Sequence, residues 1–365
     1  MSRHPQVRQR ISLRWCAPLI KGRLRGGTMA FHLPGHRVWD FWLATDGPEH
    51  HLFFLHAPET ADPDERHQMA RIGHAVSTDL RDWELLPRPL SDSPIGAADD
   101  RATWTGSTVR AHDGRWHLFY TGVSSAEDGR VQRVLSAVSD DLRSWERTDV
   151  VVEADPVHYE AWQPGVDDAD QVDEVHWRDP WVHWDADAGV WRMYVTARVH
   201  DGAPDGRGTI AMATSPDLER WTVHGPVTEP GEFRQMEVSQ LLPADDGWVL
   251  LFCHGPGDNS AARLDRGEPP EGGQHAYVGD SPAGPFRPAG DSLFVRGDPP
   301  PLYACRAVEH DGRSWLLGWP MVDAGGAFLG GISDPFPLQV GRYGASLATA
   351  PDQPAPSEPS YGPAP

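Results

Sequence analysis

The chain has 365 residues, with 32 Lys+Arg against 53 Asp+Glu and a formal charge of −21 at neutral pH. That balance excludes a nucleic-acid binder, which must neutralise phosphates, and a protein that docks on anionic lipid. No apolar run approaches the roughly 18 residues that a membrane-spanning helix needs, and 37 Gly, 35 Pro and 16 Trp point to many short strands joined by tight turns.

Residues 1–28 carry Arg3, Arg8, Arg10, Arg14, Lys21, Arg23 and Arg25 and no acidic residue. Their longest apolar stretch, Trp15 to Ile20, is too short for a secretory signal and is interrupted by Pro18. The segment reads as a disordered extension, with Met29 opening the folded protein and a transit-type peptide as the alternative. A cytoplasmic protein is the expectation.

From residue 37 a three-part succession begins: VWDFW (38–42), HHLFFLHA (50–57) and AVSTDLRDW (75–83). It returns as TWTGST (103–108), RWHLFYTG (115–122) and AVSDDLRSW (137–145), then as HWRDPWV (176–182), VWRMYVTA (190–197) and ATSPDLERW (213–221). A fourth pass gives MEVSQLL (236–242), GWVLLFCHG (247–255) and the degraded GDSPAGPF (279–286), and a fifth gives YACRAVEH (303–310) and RSWLLGWP (313–320). Alternation and aromatic content mark the first two strings as strands, and the DG and DAG pairs ahead of several second strings mark hairpin turns. The DL string reads as a strand end and a turn whose Trp packs on a neighbouring strand. Five all-β units in phase are best closed into a ring, because radial repetition hides sheet edges. The expected fold is an all-β, five-bladed β-propeller over 29–345, without a C-terminal β-sandwich. The Pro-rich stretch 346–365 reads as a disordered tail.

In such a ring the first strand of each unit lines the central channel. Asp40, Asp179 and Glu237, from the first, third and fourth units, then converge on one funnel, where three carboxylates raise one another's proton affinity. That suits acid/base and nucleophilic carboxylate chemistry. Trp39, Trp42, Trp104, Trp177, Trp181 and Arg178 stand around them, and aromatic walls with a few polar groups suit a sugar. Trp83, Trp145 and Trp221 belong to the repeat and are assigned to packing. Cys16, Cys253 and Cys305 have no CxxC spacing and read as lone thiols, so neither a zinc site nor a disulfide framework is expected. The acidic run Asp167-Asp168-Ala169-Asp170 reads as a solvated loop rather than a calcium site. Arg306 and Glu309 either reach the funnel or form a structural ion pair.

IGHAVSTDLRDWELLP (72–87), WTGS (104–107), WRDP (177–180) and MEVSQLL (236–242) together resemble glycoside hydrolase family 32, the invertase, inulinase and levanase group, over about 32–320. The resemblance implies Asp40 as nucleophile, Asp179 as transition-state stabiliser and Glu237 as general acid/base. It also implies sugar contacts from Arg178, Ser107 and Trp104, with Trp39 and Trp42 as further platforms. Three departures stand out. The family's Asn-Asp-Pro-Asn-Gly is absent, VWDFWLA (38–44) instead resembles the Trp-Asp segment of family 68 levansucrases, and Val238 replaces the cysteine after the acid/base. The bland alternatives are a turn aspartate at 40, a structural Arg–Asp pair at 178–179 and a backbone-bonded glutamate at 237. The expected function is a retaining hydrolase of β-fructofuranosides such as sucrose or short fructans, needing no cofactor and no metal. The alternatives are a fructosyltransferase, a family 43 type arabinofuranosidase or xylosidase, and a catalytically silent carbohydrate-binding propeller.

Overall fold

The alternating strings fold as five four-stranded antiparallel sheets taken up one after another along the chain. The computed structural model describes residues 29–59, 63–162, 173–297, 301–322 and 328–347. The basic segment 1–28 and the acidic run at 167–170 lie outside the described residues. So does the predicted tail, apart from residues 346–347, which end the last strand.

Blade one comprises His36–Asp46, Glu49–Pro58, Arg71–Ser77 and Glu84–Leu86; blade two, Ala102–Arg110, Trp116–Val123, Gln132–Ser139 and Glu146–Val152. Blade three comprises Trp177–Asp185, Val190–Arg198, Gly208–Ser215 and Thr222–His224; blade four, Glu237–Ala244, Gly247–His254, Gly272–Gly279 and Arg287–Gly297. Blade five is Tyr303–His310, Arg313–Trp319, Phe336–Gly341 and Gly344–Leu347. The first strands touch in ring order, each meeting the next and the fifth meeting the first. The structure is thus the expected five-bladed propeller. Each blade also has a fourth, outer strand that the repeat strings did not reveal. Edges such as Glu84–Leu86 and Thr222–His224 are short and largely exposed, so they carry no alternation to read. Met29–Phe31 pairs antiparallel with Ile332–Ser333, and the Gly331 N–H donates to the Val38 carbonyl at 2.8 Å, which ties the early chain to the end of the ring.

The DL repeat has a physical cause. Asp79, Asp141 and Asp217 each accept from two backbone N–H groups just downstream, closing a tight side-chain turn. The turn holds Leu80, Leu142 and Leu218 in the left-handed region, at φ of 61°, 61° and 67°, and buries them. The aromatic residue that ends the repeat then wedges against the second strand of the preceding blade. Trp145 meets Phe53 edge-on at 5.8 Å and Trp221 meets Phe119 at 5.4 Å. In the degraded copy Phe286 meets Tyr194 at 6.4 Å. The repeat is therefore the device that joins blade to blade.

Candidate active site

All five first strands break register at the same place in the repeat. The interruption falls at Asp40 in blade one, Thr105 in blade two and Asp179-Pro180 in blade three. In blades four and five it falls at Val238-Ser239 and Ala304-Cys305. A bulge re-aims the side chain at its position and twists the strand. Asp179, Val238 and Ala304 sit at φ of 57°, 54° and 44°, where a non-glycine residue costs roughly 1–3 kcal/mol and a β-branched one is rarest. In blade two, Gly106 follows the bulge because a Cβ there would drive into the Phe119 carbonyl.

The bulges bring Asp40, Asp179 and Glu237 within electrostatic reach of one another. Asp40 accepts from the Trp319 indole N–H at 2.8 Å and from the Thr105 hydroxyl at 2.9 Å. Burial, and then the Glu237 charge, pushes its carboxyl above the ordinary value against these two donors and Arg66. Asp179 is buried; it accepts from Thr196 Oγ1 at 3.0 Å and the Val238 N–H at 3.3 Å, and Arg178 Nε lies 3.4 Å away. Burial raises it to about 7: Arg178 opposes the rise, while Asp40 and Glu237 add to it. Glu237 goes the other way. Burial pushes it up, but Arg178 Nη2 at 2.5 Å and the Tyr303 hydroxyl at 2.5 Å outweigh burial and hold it below the ordinary value. The expectation that all three carboxylates raise one another therefore fails at Glu237, because two donors converge on it.

Arg178 is buried and spends its fork on Glu237, Gln235, Gln132 and His176. Trp39 is buried, with His67 edge-on at 5.7 Å and the Arg66 guanidinium 5.5 Å from its ring. Trp104 is buried too; its indole N–H donates to the His67 carbonyl at 2.8 Å. Two further predicted sugar contacts, Trp42 and Ser107, are enclosed as Trp39 is. Trp42 is 0 % exposed, stacks on Phe53 at 5.6 Å and donates to Thr108 Oγ1 at 3.0 Å. Strict alternation would put Trp42 on the face of Asp40, but the one-residue bulge resets the parity. Trp42 joins Trp39 in one core cluster, while Val38 and Phe41 share another. Ser107 is also enclosed: its Oγ accepts from the Val182 N–H at 3.1 Å, joining blades two and three. Trp177 packs against Tyr159 in the core.

Sequence reasoning missed Thr105, Trp319, Tyr303 and His67. Tyr303 opens the YACRAVEH string and Trp319 lies in the RSWLLGWP string, so position in the repeat was the available signal for both. His67 lies on the short helix Pro63–Met69, outside the repeat. Burial, then Arg66, pushes its imidazole down to about 4, so it faces Glu237 and Arg178 uncharged. Cys253, predicted as a lone thiol, is free and buried, and donates to the Glu237 carbonyl at 3.5 Å; Cys305 is likewise free and buried. A cavity of about 670 Å³ lies away from the channel and is lined by His112, His117, Asp149, Trp191 and Asp217.

A family model described as the glycosyl hydrolases family 32 N-terminal domain matches residues 43–319. The match spans Asp179 and Glu237 and begins just after Asp40, whose place rests on the bulged register. Among curated relatives, beta-fructofuranosidase insoluble isoenzyme 3 of Oryza sativa subsp. indica is 27 % identical over 217 residues, 57 % of this chain and 32 % of its own length. Sucrose-6-phosphate hydrolase of Bacillus subtilis (strain 168) is 30 % identical over 183 residues, 50 % of this chain and 32 % of its own length. The match thus spans about a third of either relative. Among solved structures, an inulosucrase from Halalkalicoccus jeotgali bound to kestose superposes with TM-score 0.69 at 20 % identity, covering 90 % of both chains. Bacillus subtilis levansucrase superposes with TM-score 0.68 at 17 % identity, covering 89 % of this chain and 88 % of its own. At such identities the likeness shows the fold alone.

Proposed function

The chain belongs to glycosyl hydrolases family 32, and from that premise we propose that it cleaves β-fructofuranosides, sucrose or short fructo-oligosaccharides, with retention of configuration. The observation that carries the reading is the convergence of Asp40, Asp179 and Glu237 on three bulged first strands, each with its own donor set. Packing alone gives no reason to gather three carboxylates, one buried and two half-buried, in one channel.

In the first step an Asp40 oxygen bonds to the anomeric carbon as the glycosidic C–O bond breaks, and the leaving oxygen takes the proton of Glu237. A water then gives its proton to Glu237 and attacks the same carbon, the ester to Asp40 breaks, and fructose leaves with its configuration kept. Trp319 and Thr105 orient the Asp40 carboxylate. Asp179 acts on the ring hydroxyls, with contacts that tighten as the ring becomes oxocarbenium-like. Arg178 and Tyr303 favour ionised Glu237. A sugar that takes over the Tyr303 hydroxyl removes one of those donors and raises the proton affinity of Glu237, which arms it as an acid.

Purified protein incubated with sucrose, inulin and an aryl arabinofuranoside tests the reading. Fructose released as the β-anomer from the first two supports it. Growing fructans in place of free fructose would assign a transferase, and release from the arabinoside alone would refute it.

A further inference from the structure

Blade five supplies a cation that the steps above do not use. Arg306 follows the bulge in the first strand of blade five and is 1 % exposed. The structural ion pair with Glu309, the alternative in the sequence reading, does not form; Glu309 is exposed and accepts from the Ser314 hydroxyl. Arg306 is instead held by carbonyls. Its Nε donates to Phe41 at 3.1 Å, and its Nη1 donates to Ser239 at 2.6 Å and Val238 at 3.3 Å. The Trp181 ring lies 5.2 Å from its guanidinium carbon, and Nη2 is buried with no partner. Burying an arginine without a directly paired carboxylate is costly, so its placement needs a reason.

The carbonyls supply one. Val238 and Ser239 form the blade-four bulge immediately after Glu237, and Phe41 resumes the blade-one ladder immediately after Asp40. A rigid, forked donor can span both segments, which a point-like ammonium cannot. We propose that Arg306 is a positioning residue that ties the backbone beyond Asp40 to the bulge beyond Glu237 and so fixes the two carboxylates relative to each other. The proposal rests on the reading of Asp40 as nucleophile and Glu237 as acid/base. The charge of Arg306 faces Asp179, Asp40, Cys253 and Cys305, and Asp40 in turn faces Glu237 and Arg66. Loss of the guanidinium therefore also makes Asp40 harder to ionise.

Steady-state kinetics of Arg306→Met and Arg306→Lys, corrected for folded fraction, test this on the furanoside that the parent cleaves. For Arg306→Met, kcat falls on the order of 100-fold, the effect of reacting groups about 1 Å out of place, while KM stays within about threefold. Its acid limb of kcat/KM also moves to higher pH. Arg306→Lys returns that limb to the parent position, since the charge is back, but leaves kcat reduced because only one segment is held. Parent-level kcat in either variant, or an unmoved acid limb in Arg306→Met, overturns the proposal. Failure of both variants to fold also overturns it, since Arg306 would then be a clasp for the whole ring. A parent without furanoside cleavage is a separate result: it refutes the functional reading and the proposal with it.

Discussion

Asp179→Asn isolates what burial does to one carboxyl of the channel. Burial raises the Asp179 carboxyl from 3.8 to about 7. Between those values the folded protein binds a proton that the unfolded chain has released, so this group's contribution to stability falls as pH rises and levels off above about pH 7. At about 1.4 kcal/mol per tenfold, the loss between pH 5 and pH 8 is on the order of 2–3 kcal/mol. Asparagine has nearly the same volume and no proton to lose. Its amide oxygen can still accept from Thr196 and the Val238 N–H, as Asp179 does at 3.0 and 3.3 Å. Denaturant unfolding of both proteins at pH 5 and pH 8 reads the difference directly, because groups common to both cancel to first order. The variant should gain about 2–3 kcal/mol on the parent between the two pH values. An equal gap at both would refute the reasoning, since Asp179 would then be ionised in the folded protein already at pH 5.

In turnover, the same Asp179→Asn variant should lose kcat far more than affinity, because the contacts of Asp179 tighten as charge develops on the sugar ring; a rise in KM with kcat intact would make it a plain binding residue. Trp145→Ala should lower stability by about 3–5 kcal/mol through loss of the wedge on Phe53, with turnover per folded molecule unchanged. Ser107→Ala should cost about 1–3 kcal/mol by leaving the buried Val182 N–H unpaired, with KM unchanged; a several-fold rise in KM would restore Ser107 as a sugar contact. Tyr303→Phe removes a donor to ionised Glu237, so the alkaline limb of kcat/KM should move to higher pH; a downward move would show that the hydroxyl favours the protonated form.

The ring was legible in the sequence because every unit repeats its paired strands and the first three also repeat a carboxylate that caps a turn and a tryptophan just after it. Even the degraded fourth copy kept its wedge, Phe286. The three carboxylates could be placed because each lies in the first string of its unit, Asp40 and Asp179 at the bulge and Glu237 one residue ahead of it. What could not be read was the bulge, because an extra residue in a strand has no compositional mark. That one residue at Asp40 turned Trp42 from a sugar platform into core. Donors lying far away in sequence were equally hidden. Trp319 on Asp40 and Tyr303 on Glu237 are brought in by ring closure, and Tyr303 with Arg178 reverses the expected direction for Glu237.

Comparing Glu237→Ala on two substrates bears most directly on the division of labour between Asp40 and Glu237. An activated aryl β-fructofuranoside leaves as a phenolate without needing a proton, whereas the glucose of sucrose needs one. The account predicts that the variant still forms a fructosyl ester on Asp40 from the aryl substrate, detected by intact-protein mass and peptide mapping, while its sucrose turnover collapses. Sucrose hydrolysis by Glu237→Ala at the parent rate, or an adduct on a residue other than Asp40, would contradict it.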